Sequence, residues 1–84
     1  MKVTLTASTG AKILVWREQD LFSACRAGSR ETPETCLPVD LFEVIADLAD
    51  LDLDRPSQSV EAMRLAAEAE ARLAPSSTRF LSTS

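Results

Sequence analysis

The stretch KVTLTASTGAKILVW, residues 2–16, decides the fold class. Val3, Leu5 and Ala7 alternate with Lys2, Thr4 and Thr6, the two-residue period of a strand with one buried face. Ser8-Thr9-Gly10-Ala11 supplies turn chemistry, and Lys12 to Trp16 is dominated by residues that favour strands. The expectation is an antiparallel β-hairpin. Thr9-Gly10-Ala11-Lys12 has the residue types of a phosphate loop, but without the spaced glycines or a following helix start it reads as a turn.

Outward from the hairpin the pattern becomes helical. Glu18 to Ala27 is expected as a short helix, with Leu21, Phe22 and Cys25 on its buried face and Gly28 as the left-handed residue that closes it. Ser29 to Pro38 carries Pro33, Pro38 and mixed charge and reads as a loop. A second helix follows, with Asp40 and Glu43 as N-cap and N3 of a capping box and Val39 stapled to Val44. Its buried side is Leu41, Phe42, Val44, Ile45, Leu48, Ala49 and Leu51. Arg55-Pro56 breaks it, because a residue before proline is driven out of the α region. Ser57 or Ser59 then caps a third helix with Glu61 in its first turn, and Pro75 ends it. The predicted architecture is one α+β domain over residues 1–75, an N-terminal β-hairpin packed against two to three helices. A Ser/Thr-rich tail, 76–84, reads as disordered unless Phe80-Leu81 docks or adds a strand.

The third helix has unusually little polar surface. At about 100° per residue, Glu61, Arg64, Glu68 and Arg72 fall within roughly 80° of arc. The rest of Val60 to Ala74 is apolar and mostly alanine, interrupted only by Glu70. A surface helix needs an apolar stripe only a little over ~100° wide. The charged strip alternates in sign and reads as the solvent side, while Leu65, Ala69 and Leu73 face the core. That leaves Val60, Met63, Ala67, Glu70, Ala71 and Ala74 as the expected partner-binding face. Glu70 needs either water or a basic partner there, since an unpaired buried charge is costly.

Composition narrows the chemistry. The 84 residues contain no histidine or tyrosine, so the commonest general base and metal ligand is missing. Trp16, Phe22, Phe42, Ile13, Ile45 and the leucines can build one modest core but not also wall an enclosed ligand pocket. No enzyme activity and no cofactor are expected. Cys25 and Cys36 alone fall short of the four ligands zinc takes, so no metal site is expected. They read as free thiols of a reducing compartment, though their spacing also permits a disulfide.

The net charge of −4 is uneven: five cations face four acids in residues 1–36, and four face nine in residues 37–84. No basic patch tracks a phosphate backbone, so direct nucleic-acid binding is not expected. The early apolar run Ile13 to Trp16 is too short for a membrane span or secretion signal, and a cytoplasmic location without membrane contact is expected. The excess of arginine over lysine and the abundant alanine suggest a bacterial or phage gene.

Glu43, Asp47, Asp50 and Asp54 are spaced four, three and four apart and line one helix face if the helix extends to Asp54. Like charges at these spacings cost ~0.2–0.5 kcal/mol per pair, so this acidic ridge is either a solvated face or a surface for a basic partner. Over residues 50–61 the chain also resembles an EF-hand calcium loop, with Asp50, Asp52, Asp54 and Glu61 at positions 1, 3, 5 and 12. The resemblance implies calcium binding there. It departs at position 6, where Arg55, followed by Pro56, replaces the glycine of the sharp turn.

The functional expectation is a small non-catalytic protein–protein interaction module. It would self-associate as a homodimer or dock to a protein partner through the alanine-rich helix. The alternative is an acidic inhibitor of phage or plasmid type, whose ridge occupies the basic, nucleic-acid-binding surface of a target.

Overall fold

In the computed structural model, which describes residues 1–74, the expected hairpin is formed by β1 (Lys2–Thr6) and β2 (Lys12–Glu18). Its register runs from Lys2↔Trp16 to Thr6↔Lys12. The Gly10 amide donates to the Ala7 carbonyl and the Ala7 amide to the Ala11 carbonyl, each at 2.9 Å. Gly10 takes a φ of 92°, the left-handed conformation that a glycine adopts at no steric cost.

The expected helix after the hairpin is instead a strand, β3 (Leu21–Arg26), paired with β2 through Glu18↔Leu21 to Ile13↔Arg26. The chain reverses over Gln19-Asp20. Gln19 holds a φ of 59°, and its carbonyl accepts a hydrogen bond from Arg17 Nε at 2.8 Å. Two-residue hairpin loops usually announce themselves with glycine or asparagine, and this one does not. The strand wins because Phe22 and Ala24 join Val3, Leu5, Ile13 and Val15 on one continuous apolar face. A fourth strand, β4 (Glu34–Cys36), lies within the expected loop and pairs with β3, giving the antiparallel order β1-β2-β3-β4. Gly28 is left-handed, at φ 83°, but it serves the turn after β3, where the Ser29 amide donates to the Arg26 carbonyl.

Strand parity answers the cysteine question. Cys36 stands opposite Phe22 on the core side of the sheet, whereas Cys25, three residues along β3, points to the other face. Both are free thiols. Partial burial, then the nearby Asp40 and Glu34, push the Cys36 pKa up, so its thiol stays protonated at neutral pH.

Among the described residues two α-helices, of the two to three expected, cover the core face: α1 (Leu41–Ala49) and α2 (Pro56–Arg72). The chain enters α1 through a 3₁₀ turn, Pro38–Asp40, and the capping box is not made. Asp40 sits at φ −98°, ψ −2° with no side-chain cap bond, and Val39 is exposed rather than stapled. Leu41, Ile45, Ala46 and Ala49 are buried, while Phe42, Val44 and Leu48 are half-buried against them. The helix closes in a Schellman-type turn: the Leu51 amide reaches the Ala46 carbonyl at 2.8 Å, and Asp50 supplies the left-handed residue at φ 59°. Pro56 opens α2 at its first position after an extended Arg55, so neither Ser57 nor Ser59 is the cap and Glu61 lies beyond the first turn. The helices pack on each other, α1 over β2 and β3 and α2 over β1. Trp16 is not in this core. It lies with Leu14 half-buried on the outer sheet face, where the Lys2 ammonium sits 4.5 Å from its ring and its indole N–H donates to Glu18 at 2.9 Å.

The third expected helix ends at Arg72, ahead of the stop expected at Pro75; Pro75 itself and the tail with Phe80-Leu81 lie outside the described residues.

Candidate interaction surface

The circumference of α2 divides into three arcs. Ala62, Leu65, Ala66 and Ala69, together with Leu73 just past its end, are buried against the sheet and α1. Leu65, Ala69 and Leu73 therefore face the core as expected. The charged arc is less simply a solvent side than its sequence suggests. Glu61 is a clamp: its Oε1 accepts from the Ser8 hydroxyl at 2.6 Å and its Oε2 from the Ser8 amide at 2.7 Å. Those two bonds, the hydroxyl first, hold its pKa below the ordinary carboxylate value. Arg72 and Glu68 pair at 3.8 Å one turn apart.

The third arc is the expected partner face. Val60 is 58% exposed and Met63 52%, and Ala67, Glu70, Ala71 and Ala74 are exposed beside them. Of these, Val60 to Ala71 occupy about 100° of arc along roughly 17 Å of α2, and Ala74 lies two residues past its end. Glu70 stands in solvent, so the strip holds no buried charge. Large apolar side chains left exposed in a contiguous strip are more informative than the same residues scattered singly.

The acidic ridge is not one face. Glu43 and Asp47 are exposed on α1, but the helix stops at Ala49. Asp50 is already paired with Arg26 at 2.9 Å, and Asp54 lies in the turn that precedes α2. Asp47 instead borders an open groove of about 320 Å³ shared with Arg26, Glu31 and Glu34.

The residues of the EF-hand resemblance are likewise dispersed among other partners. The Asp52 carboxylate receives the Asp54 amide and lies 3.7 Å from Arg55, while Glu61 is held by Ser8. Arg55 is extended, at φ −96°, and makes no sharp left-handed turn. Among the described residues no three carboxylates or thiols gather in a geometry that could hold a metal ion.

Two contacts had no sequence signal. Thr9 Oγ1 donates to the Ala49 carbonyl at 2.7 Å, tying the hairpin turn to the end of α1. Ser23 is 2% exposed on the outer sheet face, its hydroxyl shared between Glu18 and Thr35. The half-buried Leu14 and Trp16 could have been anticipated: Ile13-Leu14-Val15-Trp16 is apolar on both strand faces, and helices cover only one.

No described helix is long and apolar enough to cross a membrane. Compared with family models, curated proteins and solved structures, the chain matches none.

Proposed function

We propose that this protein is a small non-catalytic interaction module that docks to a protein partner, or to itself, through the exposed strip of α2. The observation that carries this reading is the apolar run Val60, Met63, Ala67, Ala71 and Ala74, exposed away from the face of α2 that buries Ala62, Leu65, Ala66 and Ala69. Alanines let a second helix approach closely, and Val60 and Met63 are the larger contacts. A strip of this size falls well short of the ~800 Å² per partner of a standard interface, so docking through it alone is weak and reversible. The acidic-inhibitor alternative has less support, because Asp50 is already engaged by Arg26 and Asp54 is off the helix.

Ala67→Arg tests the proposal. Sedimentation velocity over a concentration series, and capture from a bacterial lysate, should show assembly or partner lost while circular dichroism and melting stay unchanged. A wild-type chain that stays monomeric at high concentration and retains no partner would remove the reading.

A further inference from the structure

The two edges of the sheet are built differently. β4 is three residues long, contains Glu34 and lies between Pro33 and Pro38, all devices that keep an edge from pairing. β1 has five residues, no proline and an unbroken register, with a single charge at its first position.

Its outward hydrogen-bonding groups can be assigned. The bond from the Ala7 amide to the Ala11 carbonyl makes Ala7↔Ala11 a hydrogen-bonded pair, so by alternation Leu5↔Ile13 and Val3↔Val15 are also hydrogen-bonded pairs. The bond from the Ala27 amide to the Lys12 carbonyl agrees, since it turns the even residues of β2 toward β3. Lys2, Thr4 and Thr6 therefore direct their amides and carbonyls away from β2. No described strand receives them.

We propose that this edge pairs antiparallel with β1 of a second copy about a two-fold axis at Thr4, making one continuous eight-stranded sheet. In this register Thr4 exchanges both bonds with the partner's Thr4, and Lys2 exchanges both with the partner's Thr6. Every outward group of the edge is used, and no like charges meet. On the core side Val3 falls opposite the partner's Leu5, so the apolar floor continues across the axis. The axis is normal to the sheet and puts both α2 helices on the same side. The charged strip of α2 is anchored on the β1 side by the Glu61–Ser8 bonds, and it reads Glu61, Arg64, Glu68, Arg72. Reversed, that order becomes Arg, Glu, Arg, Glu, so antiparallel copies oppose unlike charges. A five-residue strand alone is too small for a stable interface, and this complementary strip supplies the added area. The edge is separate from the exposed apolar strip of α2, so this proposal does not rest on that one.

Thr4→Pro is the first test on the full chain. The Thr4 amide serves no bond to β2, so proline there spares the hairpin and removes the central donor of the edge. Thr4→Lys, a surface change, sets two lysines face to face at the axis. Sedimentation equilibrium should show a wild-type dimer whose dissociation constant rises about tenfold or more in either variant, with melting of the monomer preserved. In a mixed isotope-labelled sample, filtered NMR should show an intermolecular contact between the Val3 and Leu5 α-protons.

A monomeric wild-type chain at millimolar concentration overturns the proposal. So does a Thr4 amide protected equally at all concentrations, which would mean residues 75–84 occupy the edge. A dimer lost in Ala67→Arg but intact in both Thr4 variants overturns it while leaving the α2 reading standing. The reverse pattern supports this proposal and removes self-association, though not partner docking, through α2.

Discussion

The two helices, nine residues in α1 and seventeen in α2, do opposite work. α1 buries Leu41 and Ile45 completely, and these large side chains fill the space above β2 and β3. α2 buries mainly Ala62, Ala66 and Ala69, which bring its backbone close to its neighbours without adding bulk. Of its larger apolar side chains only Leu65 is buried, and Val60 and Met63 lie outside. One helix therefore supplies volume and the other supplies proximity, so the same substitution has different consequences in each.

The largest expected effect is on the first helix. Ile45→Ala should cost about 2–5 kcal/mol, because it removes a fully buried side chain and leaves a cavity, and urea unfolding would measure it. An unaltered midpoint would mean α1 is not the filler of the core. Ala69→Leu probes the second helix in the opposite direction. Overpacking the close approach should cost about 1–3 kcal/mol in the same assay, whereas stabilisation would reveal unfilled space under α2.

A smaller effect concerns how α2 is held. The Glu61 pKa is depressed in the folded chain, so its linkage contribution is present above the unfolded pKa and fades as pH falls through the folded one. Ser8→Ala should return the Glu61 titration, followed by carboxyl-carbon NMR, toward the ordinary value. If the titration does not move, the clamp is not formed in solution. The smallest effect on folding is at the exposed strip, where Ala67→Arg should change stability by no more than about 0.5 kcal/mol. A large loss of stability there would mean the strip is packed within its own chain.

Legibility in the sequence followed locality. The β1–β2 hairpin could be read because alternation and a glycine turn coincide in one stretch. β3 could not, because Leu21, Phe22 and Cys25 fit a helical face as well as a strand, and Gln19 gives no turn signal despite its positive φ. The end of α1 was hidden for a related reason: Asp50 does a glycine's work there, so the acidic spacing seemed to continue. The exposed strip of α2 was readable from its excess of alanine over what one core can cover. The clamp on Glu61 was not, since it joins residues 53 apart and depends on where the sheet lies.

The Thr9–Ala49, Ser8–Glu61 and Arg26–Asp50 bonds all join the sheet to the helices at one pole, around the β1–β2 turn. The opposite pole, with the Gln19-Asp20 turn, has no such described bond. The side-chain ties are thus gathered at the first turn, whereas at the other pole the chain itself joins the layers, passing from Cys36, opposite Phe22, into α1. Amide exchange should show the amide of Ser8, held by Glu61, among the last outside the core to exchange.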